Sequence, residues 1–230
     1  MAYTPSNMPQ ENASNLAGLP QVNTARSFIY KVLSKGLLYP NKDTISFFQD
    51  NLEEPLRAAC ANLPYGEELI PAIEKLIQEF AKLNSEQIQD LQTEYVRLFD
   101  YKPACYITEG AFREHQSLGE ATVDVNCFYR NAGLQVEVME FPDHLGIELE
   151  FMHYLSYLAA TKDNDTDFLE HVSTQLSFLE QHLNTWGPAV CLCVQQKTSS
   201  SFYNALANVC REYIDLDYQL LNEIANLYRN

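Results

Sequence analysis

The sequence predicts an all-α protein, a single helical domain of about nine to eleven helices. Three observations carry that expectation. Apolar residues recur at three- and four-residue spacings through most of the chain, the period of a helix with a buried side. Strand signals are nearly missing, since the one alternating stretch, LQVEVMEF, has no second stretch to pair with. The third observation is the stretch from Glu140 to Ala160, which runs without a breaker after Pro142. On a helical wheel Leu145, Leu149, Met152 and Ala159 share one face, and Ile147, Phe151, Tyr154 and Leu158 share another. A helix apolar on two sides is predicted to lie inside the protein, and the other helices are expected to pack around it.

In order, residues 1–21 are rich in Asn, Pro, Ser and Ala without periodicity and read as a mobile N-terminal tail. Residues 22–139 form an N-terminal helical part and 140–230 a C-terminal helical part of the same domain. Phe28, Ile29, Val32 and Leu33 mark the first helix, closed by Tyr39-Pro40-Asn41. Asp43 or Thr44 is the expected cap of the second, and Glu54-Pro55 opens the third. Ile73, Leu76, Ile77 and Phe80 form one stripe of a helix from Leu69 to Leu83. Asn84, followed by Gln87, has a capping-box pattern for the next, whose last turn presents Tyr95, Leu98 and Phe99 before Pro103. Residues 107–121, rich in Gly and polar side chains, are expected to be a loop outside the core. A helix from Thr122 to Ala132 follows, with Gly133 as its left-handed cap. After the central helix, Asp163-Asn164-Asp165 marks a turn. A helix through FLEHVSTQLSFLEQHL, a short one from Pro188 to about Gln196 and a long one from Ser200 to Leu227 complete the chain.

Composition narrows the function. Acidic residues outnumber basic ones 31 to 15, for a net charge of −16, which argues against nucleic acid or anionic membrane as partner and suits a cationic one. No apolar run approaches the roughly 20 residues of a transmembrane helix. The N-terminus lacks the basic and apolar regions of a secretory signal, so the expected location is cytoplasmic. Six cysteines without a CxxC pair are then expected to be reduced thiols rather than a disulfide framework.

The polar residues of the central helix are the candidates for function: Asp143, His144, Glu148, Glu150 and His153. Buried carboxylates and imidazoles need partners, a wet groove or a ligand. Asp143 also falls where a first-turn acid would match the helix dipole, and Gly146 permits close approach by another backbone or a ligand.

In order and spacing, EYVRLFD, Tyr106 with Thr108-Glu109, NCFYRNAGL, FPDHLGIELEFMHYL, HLNTW and SFYNALA resemble the TorD/DmsD/NarJ family of molybdoenzyme maturation chaperones. The resemblance covers about Arg26 to Asp217. It implies an all-helical, non-enzymatic cytoplasmic chaperone, a monomer or dimer without a cofactor of its own. Such a chaperone binds the twin-arginine leader and apo-form of a molybdenum oxidoreductase until the cofactor is inserted. It also implies that Asp143 and His144 take part in leader recognition, with Tyr106, Thr108 and Glu109 on a nearby loop. Ile107 stands where members often have an acid, and Gly110 where an aromatic is often found. Recognition of paired guanidinium groups followed by an apolar segment calls for carboxylates beside an apolar groove. Asp143, Glu148 and Glu150 are the candidate acceptors. Phe99, Tyr106, Phe128, Tyr129 and Phe151 are the candidate walls, although core packing is the ordinary role of Phe128 and Phe151.

The enzyme alternative is a di-metal carboxylate bundle, because Glu150-x-x-His153 places two ligands on one side of a helix. That site needs a second Glu-x-x-His, and none is present; Glu170-His171 and Glu180-x-His182 have the wrong spacing. There is no GxxxxGK[ST] loop for a nucleotide. The purified protein should therefore carry no stoichiometric iron, manganese or zinc. Elemental analysis finding about one or two metals per chain, lost on mutating Glu150, would contradict this.

Overall fold

The computed structural model describes residues 18–136, 141–161 and 165–229. Among them are eleven α-helices, one π-helical turn and no strand. The first helix, α1 (Leu19–Leu37), has Pro20 in its first turn, so it begins inside the segment expected as a tail. Residues 1–17 lie outside the described residues. In α2 (Lys42–Asn51) the cap is Asn41, whose extended backbone lets its side chain accept the Thr44 N–H at 2.9 Å. The expected caps Asp43 and Thr44 lie within the first turn instead, where side chains cannot reach back to those donors. After α3 (Glu54–Ala61), α4 (Gly66–Ala81) starts three residues before the predicted Leu69, and Pro71 is accommodated on its exposed side. The capping box forms at the head of α5 (Ser85–Phe99), with Asn84 and Gln87 bonded reciprocally.

Residues 107–121 differ from the expected surface loop. They contain a short helix, α6 (Glu109–Arg113), with Glu109 and Gly110 fully buried. Polar composition misleads here because the buried groups are paired. The following α7 (Glu120–Asn131) leads to Gly133 at φ +77°. Leu134 to Val136 form no strand; 137–140, the rest of the alternating stretch up to Glu140, and the Asp163-Asn164 turn lie outside the described residues. The central helix α8 (Leu145–Ala160) is followed by α9 (Asp165–Phe178), a π turn (Leu179–Leu183) and α10 (Asn184–Lys197). No break precedes Pro188: the π turn carries the chain straight into α10, with Pro188 in that helix's second turn. The last helix is α11 (Ser201–Arg229).

The prediction for α8 holds on one of its two apolar faces. Leu145, Leu149, Met152, Leu155 and Ala159 are at most 2% exposed. On the other face Phe151 is buried, while Ile147, Tyr154 and Leu158 are only half-buried. Helix α1 runs along α8 and α9 flanks it, while α11 packs against both α10 and α4.

The cysteines correct a further expectation. Cys105 and Cys193, separated by 88 residues, form a disulfide with Cα atoms 6.0 Å apart. Cys60, Cys127, Cys191 and Cys210 are free. Spacing along a sequence reveals near-neighbour pairs; these two meet because the segment after α5 folds back against α10.

An ion pair without solvent access joins the first helix to the last. Arg26 donates to Asp217 through Nε at 2.6 Å and Nη2 at 2.8 Å, and both side chains are 0% exposed. Its remaining donors reach Asn23 Oδ1 at 2.5 Å and Gln175 Oε1 at 2.7 Å. Asp217 also accepts the hydroxyls of Tyr30 at 2.6 Å and Tyr65 at 3.1 Å. Ser156 of α8 donates to the same Gln175 oxygen at 3.1 Å. Asp217→Asn leaves Arg26 charged and half-paired in the interior, and should cost about 3–5 kcal/mol. The urea midpoint at unchanged slope measures this; a loss near zero would mean that water reaches the pair.

Candidate functional site

Helix α8 begins at Leu145 because His144 caps it. The His144 backbone is extended, and its Nδ1 accepts the Gly146 N–H at 3.0 Å. An accepting Nδ1 assigns the ring proton to Nε2, which faces the Tyr95 hydroxyl at 3.5 Å. Burial pushes the imidazole down to about 4, so His144 is neutral near pH 7.

Asp143 lies outside the helix, not in its first turn, and is 1% exposed. Its Oδ2 accepts the Gly110 N–H at 2.9 Å and the Thr122 hydroxyl at 3.0 Å, and its carbonyl accepts the Glu109 N–H at 2.8 Å. Leu145 in turn donates to the Ile107 carbonyl at 2.9 Å, and Thr108 and His144 form an isolated antiparallel bridge. Ile107 to Gly110 therefore form a strap across the head of α8, extended at Ile107 and Thr108 and turning into α6 at Glu109. A side chain at Gly110 would place its Cβ 2.8 Å from the Gln116 carbonyl oxygen and 3.2 Å from Asp143 Oδ2. Glycine at this position is thus what lets the strap close on Asp143. Tyr129 of α7 fixes the other side, donating to the Pro142 carbonyl at 2.8 Å.

Beneath the strap lies a sealed acid cluster. Glu109 pairs through Oε1 with Arg113 and through Oε2 with His182 Nδ1 at 2.8 Å. His182 belongs to the π turn, which aims it inward between the rings of Phe128 and Phe178. Glu148, one turn into α8, is 0% exposed and accepts the Trp186 indole N–H at 3.2 Å. Burial, then the nearby charge of Glu109 and Asp143, holds its carboxyl well above the usual range.

The open surface lies on the half-buried side of α8. There a groove of about 730 Å³ is lined by Ile147, Glu150, Phe151, Tyr154 and Tyr157 of α8, with Leu134 and Val136 as one lip. Lys31 of α1 and Leu38, just past the end of that helix, form the other side. Glu150 is exposed there, unlike Asp143 and Glu148.

The expected site residues therefore separate. The structure brings Asp143, His144, Thr108 and Glu109 together at the head of α8, and Tyr106 stands beside them 49% exposed. Phe99 is nearly buried, stacked edge-on against Tyr95 with ring centroids 5.1 Å apart, and lines no part of the groove. Phe128 packs on Phe178 and faces a different cavity. Tyr129 and Phe151 do line the groove, their ring centroids 4.7 Å apart. Lys31, Leu38, Leu134, Val136 and Tyr157 were not expected there. The available signal was the interleaving of Glu150 and His153 with the second apolar face, which a fully enclosed face would not carry. His153 Nδ1 lies 2.7 Å from the Ser27 hydroxyl and 2.9 Å from its carbonyl. Among the described residues no group of three or more His, Cys, Asp or Glu is placed to hold a metal.

The sequence pattern of the family described as Nitrate reductase delta subunit matches residues 60–192. The chain belongs to that family, and the motif resemblance to TorD/NarJ-type maturation chaperones is borne out. The Perchlorate reductase assembly chaperone protein of Dechloromonas aromatica is 26% identical over 204 residues, covering 83% of this chain and 87% of that protein. The Chaperone protein TorD of Shewanella piezotolerans is 26% identical over 215 residues, covering 87% and 94%. These relatives are chaperones, not enzymes. The fold is shared with a crystal structure described as a redox enzyme maturation protein from Archaeoglobus fulgidus. The TM-score is 0.54 at 21% identity, with 82% of this chain and 93% of that one covered.

The site imposes two opposite pH dependences. His144 binds a proton more weakly folded than unfolded, so its contribution is complete above about pH 6.5 and is lost as pH falls towards 4. That loss amounts to about 3 kcal/mol. Glu148 binds its proton more strongly folded, so its contribution is complete below about pH 4.5 and is lost as pH rises. Glu148→Gln keeps an acceptor for Trp186 and should match wild type at pH 4 and exceed it at pH 8. His144→Asn keeps a cap and should flatten the acid limb. Urea midpoints across pH, as differences from wild type, check both; parallel curves would contradict the burial argument.

Proposed function

We propose that the protein is a cytoplasmic chaperone that binds the twin-arginine leader and apo-form of a molybdenum oxidoreductase and holds it until its cofactor is inserted. The carrying observation is the groove along α8, an aromatic and aliphatic channel with one open carboxylate, Glu150. A leader of this class presents guanidinium groups next to an apolar segment, and that groove offers matching chemistry for both. The names of the relatives, an assembly chaperone for perchlorate reductase and TorD, support a redox-enzyme client. The location is in keeping with the described helices, none of which is long and apolar enough to cross a membrane.

In this reading the apolar part of the leader lies against Ile147, Phe151, Tyr154 and Tyr157, and an arginine reaches Glu150. Tyr106 and Thr108 stand by the head of α8, where Thr108 bridges to His144. Asp143, His144, Glu109 and Glu148 act as positioning residues, because their hydrogen bonds set the strap and the first turn of α8.

Calorimetric titration of a twin-arginine leader peptide tests the reading. Glu150→Gln should weaken binding by about 1–2 kcal/mol, between an exposed ion pair and a shielded charge-assisted bond. Tyr154→Ala should weaken it by about 2 kcal/mol through lost apolar contact. Wild-type affinity should fall with salt, since a −16 chain attracts a cationic peptide. Unchanged affinity in both variants would remove the groove from the function.

A further inference from the structure

We propose that Cys105–Cys193 is a thiol–disulfide exchange site for glutathione-class thiols and disulfides, whose state sets how firmly the Ile107–Gly110 strap is held on the head of α8. The placement of the bond carries the inference. Cys105 lies two residues before Ile107, the residue whose carbonyl accepts the Leu145 N–H. Cys193 lies on α10, and the bond closes a loop containing the strap, all of α8 and the groove residues of that helix.

Besides the bond, two backbone hydrogen bonds hold the segment that leads into the strap. Cys105 N–H donates to the Leu98 carbonyl at 2.9 Å and Ala104 N–H to the Arg97 carbonyl at 3.3 Å. Before them run the exposed residues Asp100, Tyr101 and Lys102, the last at φ +52°. Helices α5 and α10 stay joined in either state. Glu94 accepts from Thr198 and Ser199 at 2.8 Å each, and Arg97 donates to the Lys197 carbonyl at 2.7 Å. Opening the bond therefore frees a short segment at the site and leaves the scaffold standing.

The two sulfurs differ in access. Cys105 is 3% exposed, whereas Cys193 is half-buried beside the exposed Leu192. A glutathione thiolate attacks the Cys193 sulfur, forming a mixed disulfide and releasing Cys105 as its thiolate. A second glutathione thiolate attacks the glutathione sulfur of that mixed disulfide, releasing Cys193 and forming glutathione disulfide. Two electrons pass to the protein, and the two protons given up by glutathione end on Cys105 and Cys193. Oxidation is the reverse, with glutathione disulfide as the oxidant. In the thiol-buffered compartment of the proposed function, on which the physiological side rests, this bond is a state and not a fixture.

The full-length protein is equilibrated in glutathione buffers from reducing to oxidising, then unfolded and alkylated for mass analysis. The oxidised end should yield four alkylated thiols, the number left free here, and the reduced end six. Reduction should lower the melting temperature by about 10 °C, given the length of the closed loop. Amide exchange at Glu109 and Leu145 should quicken at least tenfold on reduction, with the α1 amides unchanged. Cys193→Ser should match the reduced form in either buffer, and Cys127→Ser should follow wild type. Six thiols at every ratio, or equal melting and exchange in the two forms of wild type, would overturn the proposal. None of these readouts involves a leader peptide, so they stand apart from the test of the proposed function.

Discussion

A guanidinium without access to water sits where the first, eighth, ninth and last helices meet, and the architecture depends on its being matched. Burial alone would lower the proton affinity of Arg26, but the Asp217 carboxylate beside it keeps the charge in place. The pair is not a large source of net stability, because two desolvated ions lose hydration to gain each other. Its effect is geometric. An apolar interface tolerates small slides of one helix on another, whereas a planar fork of donors does not. With Asn23, Tyr30 and Tyr65 also engaged, and Gln175 shared with Ser156 of α8, the register of α1 along α8 is fixed.

That register matters because α1 supplies one wall of the groove and α8 the other. At the head of α8 the protein manages three buried acids in three ways. Glu109 is paired with Arg113 and bonded to His182, Asp143 is held by Gly110 and Thr122, and burial favours the neutral form of Glu148. None of the three faces solvent. Among the described residues, Glu150 is the acid that lines the groove, so the protein separates acids that build the site from an acid that a cationic partner can meet.

The all-α architecture and the central helix were legible because periodicity reports burial directly. The cap on α5 was equally legible, since its signal is local and spans four residues. What could not be read was set by residues far apart in sequence. Arg26 and Asp217 lie 191 residues apart, and Cys105 and Cys193 lie 88 apart. Asp143 shows the limit within a motif. Its position beside a helix start suggested a dipole-matched acid, but its partners come from the 107–121 segment, which polar composition had assigned to the surface. Glu148 was read as an acceptor from its charge type alone, whereas burial disfavours that charge. Pro188 was overread as a break because a π turn leaves no mark in composition.

The two sides of α8 have one further consequence. One row of its side chains belongs to the interior and the adjacent row to the wall of the groove, on a single rigid rod. A change at Met152 or Leu155 that shifts the rod by a fraction of an ångström also shifts Tyr154 and Glu150. The shape of the groove is thus inherited from the interior, and related chaperones can diverge in preference without altering any residue their clients touch. The lip at Leu134 to Val136 is under no such tie, because it belongs to no helix. Variation along α8 therefore alters groove and stability together.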